Sequence, residues 1–370
     1  MKARHILTIL ILLSLQIAKA NEPQGFPIIA WTLDTELFDA TRFRDIHNAG
    51  FNACQCWCKT PEQMQAALYH AGTHGMKVIM YGDMIVFHPE KAAAFLKGNE
   101  AFWQYLLADE PKIKHWDNLN KLQARIKKSD PTAKCYINLF PNTGKALLKD
   151  IGVNSYPEYL REYSKLNLPQ ISFDFYPIHE KVVRSNPWYS TLDDIRKESL
   201  RTGKPFWAFV LCVPHGPYPM PTLAHLRLQC YVNLAYGAQA IQYFAYATPK
   251  PSGSNDFHDG PLLRNGKRSK TYKVVKKMNA ELKPVASLFW QSKVTSIKHR
   301  KCIDGEVVES HFKKDGRRYT CFVNKSATKN VTVGLRPDDY LVRIRKNMKP
   351  ELAKSSYTLS PGDILIMMNK

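Results

Sequence analysis

The sequence predicts a (β/α)8 barrel followed by a small all-β, sandwich-like module. Between residues 26 and 246, eight short apolar runs alternate with amphipathic stretches, the pattern of repeated βα units around a parallel sheet. No glycine-rich phosphate loop follows the first run, which argues against a doubly wound nucleotide-binding sheet. From about residue 291 the pattern changes to short alternating strands separated by turn residues. The expected division is 1–20 leader, 21–290 barrel and 291–370 β module.

The leader comes first. Lys2 and Arg4 precede the apolar run "ILTILILLSL", and "IAKA" follows it, the three parts of a secretory signal peptide cleaved after Ala20. The run is shorter than the ~20 residues of a spanning helix, and no cysteine stands at the cleavage point to take a lipid. The expectation is a secreted or periplasmic protein with no integral membrane segment.

The eight runs are "FPIIAWTL", "FNACQCW", "MKVIMYGD", "FWQYLLADE", "AKCYINLFP", "QISFDFYPI", "PFWAFVLCV" and "AQAIQYFAY". Helical patterns lie between them. "TPEQMQAALYHAGTHG" has Thr60 as N-cap and Pro61 at the first helical position, and "TLAHLRLQCYVNLAYG" closes at Gly237. The last barrel helix reads "KRSKTYKVVKKMNAELKPVASL". In the β module, "HFKKDGRRYTCF" reads as a hairpin turning at Asp315-Gly316.

Composition sets limits on partners. Lys and Arg number 53 against 32 Asp and Glu, and residues 291–370 alone hold 17 against 8. Such an excess favours anionic partners, with acidic polysaccharide or a membrane surface foremost, or else is a solvated basic surface. No basic run is interleaved with aromatics in a nucleic-acid motif, so nucleic acid is not expected. Eight cysteines include Cys54, Cys56 and Cys58 of "CQCWC", which on a strand share one face. Thiolates at i, i+2 suit a tetrahedral metal poorly, so buried free thiols are expected. There is no H-x-H or H-E-x-x-H, and no metal or cofactor is expected.

Catalytic residues of such barrels lie at the carboxyl ends of the strands. That rule selects Asp34, Trp57, Asp83, Asp109, Glu110, Asn138, Asp174, Tyr176, His215 and Tyr246, with Trp207 of "PFWAF" beside them. Carboxylates and aromatics gathered on one rim describe a carbohydrate cleft, since aromatic faces stack on sugar rings while acids accept hydroxyl hydrogen bonds.

Asp109, Glu110 and Pro111 form "DEP" at the end of the fourth strand, which resembles the "NEP" that carries the acid/base glutamate in the large clan of barrel glycoside hydrolases. "FDFYPI", "PFWAF" and "YGAQAIQYFAY" followed by a β module also resemble secreted bacterial barrel glycosidases. The resemblance implies Glu110 as general acid/base. The clan also places a nucleophilic glutamate at the end of the seventh strand, and "WAFVLCVPHG" has none. Asp109 stands where the clan has asparagine. Both departures are similar to β-hexosaminidases, in which an Asp-Glu pair works with the substrate's own 2-acetamido group as nucleophile. That likeness implies that Asp109 orients the acetamido group and Tyr176 helps to hold it. A second solution makes Asp174, on the same strand face as Tyr176, the second carboxylate, ~5–5.5 Å from Glu110 in a retaining enzyme or ~6.5–9.5 Å in an inverting one.

Other readings stay open. Asp109, standing before "PKIKHWDNL", could cap the following helix, and Asp34 and Asp83 could cap helices. His215 could be a subsite residue or a surface histidine. Asn324 and Asn330 open N-x-S/T triplets expected in exposed loops. A secreted carbohydrate-binding barrel without catalysis is the alternative to a hydrolase.

Overall fold

The computed structural model describes residues 22–34, 36, 38–180 and 182–370; the leader segment lies outside them. Eight parallel strands close a barrel: β1 (Ile28–Leu33), β2 (Ala53–Trp57), β3 (Lys77–Tyr81), β4 (Phe102–Asp109), β5 (Cys135–Leu139), β6 (Ile171–Phe173), β7 (Phe206–Leu211) and β8 (Ala240–Phe244). Each pairs with its neighbours in chain order, and β8 returns to β1 through Ile28↔Ile241 and Trp31↔Phe244. Strand alternation divides the core into two shells. Ile29, Trp31, Ile79, Leu106, Tyr136 and Trp207 fill the barrel, while Ile28, Ala30, Cys54 and Val78 face the surrounding helices.

Local chemistry fixes the helices where expected. In α1 (Pro61–Gly72) the Thr60 hydroxyl accepts from the Gln63 N–H, and the Gln63 side chain reaches back to complete a capping box. α2 (Leu223–Tyr236) is apolar on nearly every side because it is buried on nearly every side, and Gly237 at φ 106° ends it. One side of α2 packs on the barrel. The other meets the C-terminal sheet, where the Ser310 hydroxyl donates to Ala235 O at 2.7 Å.

The last barrel helix, α3 (Lys270–Phe289), leads into antiparallel strands β9 (Lys293–Cys302), β10 (Gly305–Lys314), β11 (Arg317–Asn324), β12 (Val331–Gly334), β13 (Tyr340–Ile344), β14 (Pro350–Leu352), β15 (Ser356–Leu359) and β16 (Ile364–Asn369). A six-stranded sheet has the order β9-β10-β11-β16-β13-β14, and β12 pairs with β15 in a second sheet. The hairpin turns at Asp315 and Gly316, both at positive φ (49° and 75°), as a two-residue turn matched to strand twist requires.

Several expectations are corrected. Trp207 is second in its strand and lies deep in the barrel, its ring 4.9 Å from Trp103 and 5.4 Å from Tyr136, so it meets no substrate. Strand β8 stops at Phe244, and beyond it Tyr246 turns outward into the helix-facing core beside Phe51 at 5.3 Å. Asn324 is not in an exposed loop: it is buried, and its amide donates to the carbonyls of Lys329, Leu359 and Ser360. Asn330 is exposed.

Candidate active site

The carboxyl ends of β4, β5 and β6 bring three acids and one amide together. Asn138 is the hub. Its Nδ2 donates to Asp109 Oδ1 at 3.1 Å and to Asp174 Oδ1 at 3.0 Å. Its Oδ1 accepts from the Ser172 hydroxyl at 3.0 Å, and that hydroxyl accepts from Gln242 Nε2 at 2.8 Å. This chain inside the barrel fixes which way the amide points, so its N–H groups face the acids.

Glu110 completes the group by a backbone departure. Its φ is 47°, in the left-handed region that costs a non-glycine residue about 1–2 kcal/mol. The proline after it makes a helical conformation harder still. Two contacts hold the turn: Glu110 N–H donates to Asn138 O at 2.9 Å, and Pro111 O accepts from Tyr159 Oη at 3.0 Å. In regular strand geometry Asp109 and Glu110 would point to opposite faces. The left-handed turn instead sets Glu110 within the electrostatic reach of both Asp174 and Asp109. Strain of this kind gathers at functional sites.

Burial raises the pKa of each acid. Glu110 goes up furthest, first by burial and then by the charges of Asp174 and Asp109. Asp174 is also raised by burial and by Asp109, opposed by the hydrogen bond from Asn138. Asp109 is pushed up to about 6 by its crowded surroundings, although its carboxyl opens on the cleft, and the Asn138 hydrogen bond opposes the shift. Helix capping is excluded for Asp109, because neither helical segment after it has a side-chain cap.

Asp109 is also a wall of a cavity of about 370 Å³ at the barrel mouth, with Trp31, Asp34, Gln55, Trp57, Tyr81 and Phe244. Trp57 is 40% exposed and leans on Tyr81, ring centroids 5.8 Å apart. Gly82 makes this possible: at φ 121°, a Cβ there would stand 2.3 Å from Trp57 Cδ1. Burial raises the pKa of Asp34, with Lys250 opposing. The helix Ala40–Asn48 is capped by Asp39, while Asp83 is the first residue of a short helix (Asp83–Phe87) and lies outside the cavity lining.

Across the mouth, Tyr176 stacks on Phe244 at 6.0 Å and meets Tyr218 edge-on. Its phenol is raised by burial and by the charges of Asp174, Asp109 and Glu110, and stays a neutral donor beside them. Where β7 ends, Leu211, Val213, Ala245 and Phe257 form a buried apolar cluster. His215 is buried against Phe257 at 4.4 Å, with Nδ1 on Val213 O at 3.1 Å, and burial lowers its pKa, so it is a neutral wall residue.

Gln55, Tyr81, Phe244 and Lys250 are cavity residues that strand-end reading missed. Gln55 carried a signal, an amide in an otherwise apolar strand. It is fully buried and neither amide atom has a protein partner. All eight cysteines are free; Cys54, Cys56 and Cys58 lie in the helix-facing core, with 3.7 Å between the first two sulfurs, and burial pushes Cys58 up to about 12. No group of metal-ligating residues stands out, and no helix is long and apolar enough to cross a membrane, among the described residues.

A family model described as beta-galactosidase, glycoside hydrolase family 42, matches residues 117–285. The fold is similar to the beta-galactosidase of Bacillus circulans sp. alkalophilus, with TM-score 0.68 and 8% identity over 95% of this chain and 100% of that one. It is likewise similar to a catalytic mutant of a family 42 beta-galactosidase from G. stearothermophilus, with TM-score 0.66 and 8% identity over 94% and 100%. No curated protein matches the sequence. The barrel with its β module and the family match support a glycoside hydrolase.

Proposed function

We propose that the protein hydrolyses glycosides of 2-acetamido sugars, with Glu110 as general acid/base and the substrate's acetamido oxygen as nucleophile. One observation carries this reading: the acids gather on β4 and β6 around Asn138, while β7 ends in an apolar cluster. Asp174, buried and tied to Asn138 beside Asp109, is a charged neighbour that holds the proton on Glu110. Glu110 delivers that proton to the leaving oxygen as the glycosidic bond breaks and the acetamido oxygen bonds the anomeric carbon. Asp109, held by Asn138, accepts the acetamido N–H and offsets the positive oxazolinium. Glu110 then takes a proton from the water that opens the ring.

The cavity is of the size of one sugar unit, and Trp57 offers an apolar face to it. Carbohydrate is therefore the partner. Secretion, carried by the leader sequence, places the enzyme where such polymers occur. The basic β module favours an acidic glycan. The test is Glu110→Gln assayed on an unactivated 2-acetamido glycoside. A loss of roughly 10²–10⁴-fold with the fold intact is expected. Activity within a few-fold of wild type would remove Glu110 from the mechanism.

A further inference from the structure

Far from the barrel mouth, a second cleft of about 580 Å³ opens on the C-terminal sheet. The sheet face that bears it is divided in two. Over one part, Val307, Phe322 and Leu365 are covered by Val331, Val333 and Leu359 of the two-stranded sheet. The uncovered part is polar and lies between β9, β10 and the segment around Arg336 to Tyr340.

Glu309 forms its floor. Its side chain is 5% exposed and lies beside Lys298 Nζ at 3.0 Å and His311 Nε2 at 3.0 Å, both on Oε1, and Arg300 Nη1 at 3.6 Å from Oε2. The second oxygen, Oε2, is enclosed yet accepts no hydrogen bond. A buried carboxylate oxygen without a donor is costly, and a ligand hydroxyl satisfies it. The rim is cationic. Arg336 is 87% exposed along its side chain and is held by one ion pair, Nε to Asp339 Oδ2 at 3.1 Å, while Lys298 is 62% exposed. Beside these, Leu335 and Tyr340 supply apolar surface.

We infer that this cleft is an accessory binding site for an anionic sugar unit, a uronate or sulfated residue of a glycan. A ring hydroxyl donates to Glu309 Oε2. The sugar's carboxylate or sulfate pairs with Arg336 and Lys298, the ring lying against Leu335 and Tyr340. The inference deepens the acidic-glycan reading by placing it on named residues, and it is independent of the hydrolytic mechanism.

The experiment uses the full chain, retained on immobilised polygalacturonate at 0.15 M salt, with neutral galactan and polyglutamate as comparison matrices. The wild type is expected to bind polygalacturonate well above both. Lys298→Ala/Arg336→Ala, two exposed positions, should weaken that binding about tenfold or more and leave hydrolysis of a small aryl glycoside unchanged. Glu309→Gln adds net positive charge, so it tightens binding if the surface acts as an ion exchanger and weakens it if Oε2 receives a sugar hydroxyl. Thermal melting checks that this variant folds. No retention of the wild type would overturn the acidic-glycan reading. Retention equal on polyglutamate, or unchanged in the double variant, would overturn the site.

Discussion

The two sides of the barrel mouth are built on opposite principles. From β1 to β4 the wall is open and polar, with Asp34, the unpartnered amide of Gln55, exposed Trp57 and the raised carboxyl of Asp109. At β7 the wall is closed and apolar, and even its histidine is buried and neutral. A clan member would carry its second catalytic carboxylate on that closed side. Here the acids are massed on β4 and β6 and knitted by Asn138. On the proposed reading, one wall contacts the sugar and supplies the proton, while the other leaves the anomeric carbon to a nucleophile that the substrate brings.

The largest expected effect comes from the acid cluster. Glu110→Gln should cost ~10²–10⁴ in kcat on an unactivated substrate, checked by steady-state kinetics beside circular dichroism. Next comes Asp109→Asn, expected to lose ~10²–10³-fold because a neutral amide cannot offset the oxazolinium charge in a desolvated site. Asp174→Asn should cost less than either. Equal losses for Asp174 and Glu110 would move Asp174 into the bond-breaking step.

A subtler effect lies in pH dependence. Asp109 must be ionised and Glu110 protonated. The kcat/KM profile should therefore rise through a limb near 6, set by Asp109, and fall only well above the ordinary carboxylate range, where Glu110 loses its proton. In Asp109→Asn the acid limb should flatten in the residual activity.

The smallest effect is on stability. A carboxyl whose folded pKa is raised contributes stability below its unfolded pKa and loses it as pH rises toward the folded value. Glu110 is such a group. Glu110→Gln should therefore raise Tm at pH 8, and the gain should vanish near pH 4, where the wild-type group is protonated in both states. A fall in Tm at pH 8 would mean that the carboxyl stabilises the fold.

Much of this site was legible because strand ends of a parallel barrel share one face. That rule found Asp109, Glu110, Asn138, Asp174 and Tyr176, all of which meet across the same cluster. It failed for Trp207 and Tyr246 because an apolar run does not reveal where pairing starts and stops: one lies too deep in its strand, and the other stands past the last paired residue. The left-handed turn at Glu110 was not foreseeable either. "DEP" on a regular strand separates its two acids, and only the turn unites them. Phe244 was passed over because the apolar run continues beyond the true end of β8, and Lys250 depends on how the loop after β8 folds back, a long-range matter that periodicity does not encode. Polar Gln242 and Ser172 inside apolar strands were visible signals of the network that orients Asn138.

The most direct test of the missing protein nucleophile is hydrolysis of matched aryl glycosides that differ only in carrying a 2-acetamido or a 2-hydroxyl group. The account predicts turnover of the acetamido series and none above background for the hydroxyl series, because the group that attacks the anomeric carbon is absent from the latter. Substantial hydrolysis of the 2-hydroxyl sugars by the wild type would contradict it, since a protein carboxylate would then have to be the nucleophile.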